Sequence, residues 1–170
     1  GLKLKPSKCK LLQRQVGFLG HVVSENGIAT DPAKTEQVAH WPVPTSVREI
    51  RGFLGLCGYY RRFIDQYAEI ASPLTSMLKK GLKFLWSEEC QVAFERLKTT
   101  LTTPPVLAMP REPPSAPDGL EGVFILDTDA SDRSIGSLLS QVQDGNERVI
   151  AYASRVLQPA QLHHCVTRRE

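Results

Sequence analysis

The chain has 170 residues and a formal net charge of +3, with 41% hydrophobic and 23% charged residues. This length fits one ordinary domain or two small ones, and the composition is that of a soluble globular protein rather than a disordered or membrane-spanning one. No apolar run reaches the ~18 residues that a membrane helix needs, and residues 1–5 lack the apolar stretch of a signal peptide.

The charges are unevenly distributed along the chain. Residues 1–102 contain 15 Lys and Arg against nine Asp and Glu, whereas residues 103–170 contain six against nine and no lysine. A basic part followed by an acidic part is typical of one segment that holds a polyanion and another that concentrates carboxylates. Ordinary variation of the surface would give the same counts, so the alternative stays open on charge alone.

The cysteines exclude two classes of site. Cys9, Cys57, Cys90 and Cys165 are far apart and form no Cys-x-x-Cys pair. The spacing therefore predicts reduced, mostly packed thiols in an intracellular protein rather than a disulfide framework or a zinc site. The run at residues 163–165, His-His-Cys, does not predict a metal site either, because adjacent side chains point apart.

The first elements are strands and capped helices. Residues 16–23 are rich in β-forming residues and lead into turn residues 24–27, which predicts a hairpin with positive φ angles at Asn26 and Gly27. Asp31 and Pro32 predict the start of a short helix that ends near residues 41–42. Ser46 and Glu49 then have capping-box spacing, and the amphipathic stretch behind them extends to about residue 64, with apolar positions Val47, Ile50, Leu54, Cys57 and Ile64.

Two further helices precede a proline-rich segment. Ser72 and Pro73 predict the opening of a short helix that Gly81 closes. Ser87 predicts the cap of a helix over residues 88–101, with Val92, Phe94, Leu97 and Leu101 as its apolar residues. Six prolines lie between residues 104 and 117, which excludes a helix or a central strand and predicts an extended, polyproline-like linker over 104–122.

The periodicity changes to strands beyond this linker. Residues 123–129, 135–142 and 148–154 predict three antiparallel strands, with a turn at residues 144–146 and the start of a helix at 167–170. The predicted fold class is therefore α+β. We expect a hairpin and helices over 1–103, the linker, and then a mixed-sheet domain over 123–170.

Three groups of motifs point to a family. The first joins Leu4-Lys-Pro-Ser-Lys-Cys9 to Val16-Gly-Phe-Leu-Gly-His21. The second is Ile50-Arg-Gly-Phe-Leu-Gly-Leu-Cys-Gly-Tyr-Tyr-Arg-Arg-Phe63, continued by Pro73-Leu74 and Trp86-Ser-Glu-Glu-Cys-Gln-Val-Ala-Phe94. The third is Leu126-Asp-Thr-Asp-Ala-Ser131 with Ile135-Gly136, Leu139-Ser-Gln141 and Ala151-Tyr-Ala-Ser154. In this order and spacing the motifs resemble gypsy-class retrotransposon reverse transcriptases over nearly the whole chain.

The resemblance implies a nucleic-acid site in the first part of the chain. Residues 1–28 match the last palm strands, with the primer-grip hairpin at Phe18, Leu19, Gly20 and His21, and residues 66–103 match the rest of the thumb and the connection. Residues 45–65 match the thumb helix that lies along the minor groove of the duplex, and Arg51, Gly55 and Tyr59 share one face of it. Arg61 and Arg62 add phosphate-binding cations next to the tyrosines. From the residues alone, an ordinary packed hairpin and close helix–helix packing at the glycines remain open alternatives.

The resemblance also implies a nuclease site in the last part. Ribonuclease H chemistry needs carboxylates that hold two Mg²⁺ ions ~4 Å apart. The first family ligand matches Asp129 and the second matches Glu170, whereas Asp127 is expected to be solvated or to support the site, and Asp132 to lie in a turn. The family's polymerase carboxylates lie upstream and its other two ribonuclease H acids downstream. We therefore expect this chain by itself to have no polymerase activity and negligible nuclease activity.

Two functions of different classes follow from these residues. The first is a fragment of a reverse transcriptase–ribonuclease H whose intact form copies RNA into DNA and degrades the RNA strand of RNA–DNA hybrids. Its expected partners are a template–primer duplex or RNA–DNA hybrid and the remainder of the Pol polyprotein, with no membrane. The alternative is a truncated or domesticated module that binds nucleic acid without chemistry. A decayed element or an incomplete gene model is a third possibility, against which the preserved caps and motif spacing argue.

Overall fold

The structure is a computed structural model, and it describes residues 3, 5–79, 81–114, 119–158 and 160–161. Within these residues, two antiparallel three-stranded sheets flank a group of five helices along the chain. The predicted α+β class is confirmed. No helix in the described ranges is long and apolar enough to cross a membrane.

The first sheet contains two consecutive hairpins. Its strands are β1 (Gln15–Phe18), β2 (His21–Ser24) and β3 (Gly27–Thr30), paired in that order. The predicted turn between β2 and β3 is confirmed, but the prediction of a positive φ angle at Asn26 is wrong, because only Gly27 adopts one, at +130°. The residues predicted as one run, 16–23, are interrupted by a second turn at Leu19 and Gly20, with φ angles of 47° and 69°. Two successive positive φ angles are typical of the tight hairpin turn whose twist matches that of its strands.

The capped helices begin where the sequence predicts. In α1 (Pro32–Ala39), Asp31 Oδ1 accepts from the Ala33 amide at 3.0 Å, and in α2 (Val47–Tyr59), Ser46 Oγ accepts from the Glu49 amide at 3.3 Å. The Glu49 carboxylate bonds back to the Thr45 amide at 2.8 Å, one residue before the usual capping-box partner, and this hydrogen bond lowers the pKa of Glu49.

The later helices depart from the predicted bounds. α2 ends at Tyr59 rather than near residue 64, because the chain tightens into a 3-10 turn at Arg61–Phe63 that still buries Ile64. The chain continues through α3 (Tyr67–Ile70) and α4 (Ser72–Ser76), so the helix that Ser72 opens ends well before Gly81. α5 (Glu88–Thr102) begins as predicted at the Ser87 cap. Val92, one of the apolar residues of this helix, is 61% exposed, because the buried face of α5 consists of Cys90, Ala93, Phe94, Leu97 and Leu101.

The core lies among the helices. The rings of Phe53 in α2 and Phe94 in α5 have centroids 4.6 Å apart, and both side chains are fully buried. The thiols of Cys57 and Cys90 are free and buried, Cys9 is free and exposed, and Cys165 lies outside the described residues. Burial raises the pKa of Cys57 to about 12.

The second sheet confirms the three predicted strands. It consists of β4 (Phe124–Ala130), β5 (Ser134–Gln143) and β6 (Asn146–Val156), antiparallel and in chain order. Asp144 and Gly145 form the predicted turn, with φ angles of 55° and 73°. The predicted helix start at 167–170 lies outside the described residues.

The proline-rich segment is extended but not free. Over residues 104–114, which we call the strap, it contains neither a helix nor a strand, as predicted. However, Leu107 forms a β-bridge with Ile28, and Leu107 and Ala108 are buried. The strap therefore packs between the two sheets.

Candidate nucleic-acid interface

The tip of the first hairpin is bound to the C-terminal end of α2. The Tyr59 hydroxyl donates to the carbonyl oxygen of Leu19, and the Tyr60 hydroxyl donates to that of Gly20 at 2.6 Å. Tyr60 is 1% exposed, so burial raises the pKa of its phenol and it remains a donor at neutral pH. Two adjacent carbonyls are thus held by two adjacent residues of the helix end, which explains why a leucine tolerates the positive φ angle of this turn.

His21 packs under the same tip. Its ring centroid lies 5.3 Å from that of Tyr59, 5.5 Å from Tyr60 and 5.7 Å from Phe63. Its Nδ1 is 2.9 Å from the carbonyl oxygen of Leu19, which can only accept, so we assign the ring hydrogen to Nδ1. Its Nε2 is buried without a partner among the described residues. The His21 ring therefore packs against the aromatic residues at the end of α2.

The other predicted residues of the hairpin and of α2 face solvent. Phe18 is 63% exposed and Leu19 72% exposed, and Tyr59 is half exposed beside them. Arg51 and Gly55 are exposed on the same helix as Tyr59, at successive intervals of four residues. This exposed group, which we call the tip–helix face, presents apolar, aromatic and cationic side chains together.

The three glycines of α2 differ in what surrounds them. A Cβ atom at Gly55 would meet nothing within 4 Å, so packing inside the described chain does not require this glycine. A Cβ atom at Gly52 would lie 3.8 Å from the Trp41 ring, and one at Gly58 would lie 3.4 Å from the Tyr67 hydroxyl. A Cβ atom would therefore make ordinary contacts within the chain at Gly52 and Gly58 but none at Gly55, which leaves the tip–helix face open to an external backbone.

The two arginines after α2 differ in their surroundings. Arg61 Nη2 donates to the carbonyl oxygen of Ser154 at 2.5 Å, and its guanidinium lies 5.8 Å from the centroid of the Tyr67 ring. Arg61 thus joins the helices to β6, a partner that no local sequence pattern indicates. Arg62 is exposed, so its charge is available to an external phosphate.

The predicted nuclease carboxylate lies on the second sheet. Asp129 is exposed on β4, opposite Gly136 of β5, and it lines a small cavity with Gln66 and Glu69. Asp127 is exposed on the same strand, and Asp132 lies in the connection between β4 and β5 as predicted. The described residues contain no cluster of three or more potential metal ligands, and Glu170 lies outside them. One carboxylate does not make a two-metal site, so we derive no metal-dependent step from this geometry.

A second cleft, of about 1050 Å³, lies between α4, α5 and the β4–β5 connection, and Glu69 lines it as well. Its charged lining consists of four carboxylates and two guanidinium groups, from Glu69, Glu88, Glu89, Asp132, Arg96 and Arg133. An excess of carboxylates disfavours a polyanion. The tip–helix face is therefore the better candidate for nucleic acid.

The chain matches a family model and several known proteins. The family model described as the RNase H-like domain found in reverse transcriptase matches residues 86–170, which is half of the chain. The chain belongs to this family. It is also 41% identical over 170 residues to the retrovirus-related Pol polyprotein from transposon 297 of Drosophila melanogaster, and 32% identical over 170 residues to the transposon Tf2-3 polyprotein of Schizosaccharomyces pombe.

These alignments cover 99% of the chain but only 15% and 12% of the two polyproteins. Almost the whole chain is therefore similar to a part of retrotransposon Pol polyproteins, which confirms the resemblance at that level. An uncharacterised mitochondrial protein of Arabidopsis thaliana is 49% identical over 105 residues, which cover 61% of this chain and 66% of that protein.

Solved structures show the same fold. A foamy viral protease–reverse transcriptase in complex with an RNA/DNA hybrid superposes with a TM-score of 0.76 at 22% identity, over 96% of this chain and 21% of that one. The same viral enzyme in complex with double-stranded DNA gives a TM-score of 0.75 over 95% of this chain and 32% of that one. At this identity the likeness establishes the fold alone.

Proposed function

We propose that this chain is the duplex-gripping segment of a gypsy-class retrotransposon reverse transcriptase–ribonuclease H. The intact enzyme performs RNA-directed DNA synthesis and degrades the RNA strand of RNA–DNA hybrids. The motif set described above and the similarity to the Pol polyproteins of transposons 297 and 412 of Drosophila melanogaster support the class. Residues 1–103 supply the end of the palm, the thumb and the connection, residues 104–122 the boundary, and residues 123–170 the start of the ribonuclease H domain.

One observation carries the proposal for this chain's own residues. The hydroxyls of Tyr59 and Tyr60 hold the hairpin tip against α2, so that the tip and the helix present one continuous exposed face. Arg51 and Arg62 supply charge for phosphates, and Gly55 leaves room for a sugar–phosphate backbone. The exposed ring of Tyr59 and the apolar side chains of the tip supply surface for base or sugar packing.

In the proposed site of the intact enzyme, Asp129 and Glu170 are two of the carboxylates that hold two Mg²⁺ ions. Asp129 is an exposed carboxylate on a strand that is paired with β5, which suits a metal ligand. Glu170 lies outside the described residues, and its role rests on the family resemblance.

Salt-dependent binding tests the proposal. We expect the chain to bind an RNA–DNA hybrid without sequence preference, with an affinity that falls steeply as salt rises. Each of the changes Arg51→Gln and Arg62→Gln should reduce the slope of log K against log salt by about 0.9, because each removes one phosphate contact. Fluorescence anisotropy of a labelled hybrid at several salt concentrations measures this slope.

Arg155→Gln is the matched control, because Arg155 is an exposed arginine of β6 outside the tip–helix face and its loss changes the net charge equally. We expect it to leave the slope almost unchanged. Equal slopes for the control and the two test variants, or no hybrid binding at low salt, would overturn the proposal.

A further inference from the structure

The strap forms backbone hydrogen bonds with both sheets. Leu107 and Ile28 of β3 exchange two bonds, with N–O distances of 2.9 and 2.7 Å. The next amide, that of Ala108, donates to the carbonyl oxygen of Val149 in β6 at 2.7 Å. Consecutive residues of one extended segment thus bind the hairpin sheet and the sheet that carries Asp129.

The close approach of β3 to the strap depends on a glycine. Gly27 has a φ angle of +130°, and a Cβ atom there would overlap the carbonyl oxygen of Leu107. Leu107 is fully buried and Ala108 is 3% exposed, so neither can move outward cheaply. The contact between β3 and the strap therefore requires a glycine at position 27, because another residue would be strained at this φ angle and its Cβ atom would clash with Leu107.

Two buried amides bind the other end of the strap. Gln143 donates to the carbonyl oxygen of Met109 at 2.8 Å, and Gln141 donates to that of Arg111 at 2.8 Å while its own oxygen accepts from the Arg111 amide at 2.9 Å. Gln143 also donates to the side-chain oxygen of Gln141 at 2.8 Å. Gln141 is 0% exposed and Gln143 is 2% exposed. Burying amides is costly unless they are hydrogen-bonded, so these side chains specify where the strap lies.

Two more contacts fix the orientation of the second sheet. Arg148 of β6 donates to the carbonyl oxygen of Asn26 at 2.9 Å, which joins the sheets directly beside the strap. Further along β6, the hydroxyl of Ser154 accepts from the Ala68 amide at 2.9 Å, and its carbonyl accepts from Arg61. Attachment near both Val149 and Ser154 opposes rotation of the sheet, which a single attachment would permit.

We propose that the strap is a positioning element that holds the two sheets in one fixed relation, with Gly27, Gln141, Gln143 and Arg148 as its positioning residues. Its consequence, which rests on the proposed function, is that Asp129 lies at one fixed position along a duplex bound at the tip–helix face. A flexible proline-rich linker would instead spread Asp129 over many positions along the duplex.

Distances between the sheets test the strap without nucleic acid. Spin labels at Glu25→Cys and Asp127→Cys, two exposed positions, report the separation of the sheets in a Cys9→Ser, Cys165→Ser background. We expect one narrow distance distribution in the parent protein. The distribution should be at least twofold broader in Gly27→Ala and in Arg148→Gln, of which the second removes only one hydrogen bond between the sheets. Gly145→Ala is the control, because Gly145 also has a positive φ angle but a Cβ atom there meets nothing within 4 Å. An unchanged width in both folded test variants would overturn the proposal.

Directed cleavage tests the consequence. An iron–EDTA group on Asp127→Cys should cut a bound RNA–DNA hybrid in one narrow cluster, and the cluster should widen at least twofold in Arg148→Gln at similar affinity. A cluster of cuts that stays narrow while the distance distribution broadens would show that the strap does not fix the position of Asp129 along the duplex. If neither the parent chain nor any variant binds the hybrid, the proposed function is wrong. The distance measurement tests the role of the strap in that case too.

Discussion

Replacing Gly55 by alanine should make the protein more stable and a weaker binder. Gly55 lies in the middle of α2, and the new Cβ atom meets nothing within 4 Å, so no clash offsets the gain in helix propensity. That gain is about 1 kcal/mol, which for a domain of this size raises Tm by about 2–4 °C. The methyl group projects ~1.5 Å from the helix surface, where the proposed duplex backbone would lie.

The predicted loss of affinity follows from that displacement. Moving the backbone away from the helix weakens at least one charge-assisted hydrogen bond to phosphate, which contributes ~1.5–3 kcal/mol, so we expect a loss of roughly tenfold or more. Thermal unfolding and anisotropy titration of an RNA–DNA hybrid at low salt measure the two effects on the same samples.

Gly52→Ala is the matched control for this experiment. Gly52 lies in the same helix, but its Cβ atom would make an ordinary contact with the Trp41 ring at 3.8 Å. It should give a similar gain in Tm with unchanged affinity. Unchanged hybrid affinity in Gly55→Ala, or the same loss in both variants, would refute the assignment of this helix face to the duplex.

Two further predictions concern the helix end and the core. Tyr60→Phe removes the hydroxyl that donates to the carbonyl oxygen of Gly20, so the hairpin tip loses one of its two hydrogen bonds to the helix end. The free energy of unfolding should fall by about 1 kcal/mol, and hybrid affinity should fall with it. Urea unfolding and anisotropy measure the two quantities, and no change in either would contradict the role of Tyr60 in holding the tip. The pKa of Cys57 rises from 9.0 to about 12 on folding, so above pH 9 the unfolded thiol ionises first and stability falls as pH rises. Urea unfolding between pH 9 and 10 should show a steeper fall in stability in the parent than in Cys57→Ala, because the tyrosines, with an ordinary pKa of about 10, contribute equally to both proteins. Equal slopes would be inconsistent with this prediction.

For some residues the sequence showed a polar or aromatic side chain but not the role that it has in the structure. Tyr60 stood in a predicted nucleic-acid cluster, yet it is buried and holds the hairpin tip. Gln141 and Gln143 received no role, although two amides two residues apart on the same face of a strand can indicate buried hydrogen bonding. Their partners lie on the strap, some 30 residues away, and no local pattern names them.

The sequence by itself determined the features that depend on neighbours a few residues apart. The caps at Asp31, Ser46 and Ser87 and the turn at Asp144 and Gly145 satisfy backbone groups within three or four positions, so each was predicted correctly. The ordered motifs indicated a retrotransposon Pol polyprotein for the same reason, since they are read along the chain.

Only the tertiary structure decided which distant groups meet. The turn at Leu19 and Gly20 depends on two hydroxyls 40 residues away, and Arg61 binds a carbonyl 93 residues away rather than facing solvent alone. The strap is a packed element and not a tether because Leu107 fits against Gly27 between two sheets. Such contacts are set by the packing of whole elements, and the free energy that selects them comes from burial that no single segment contains.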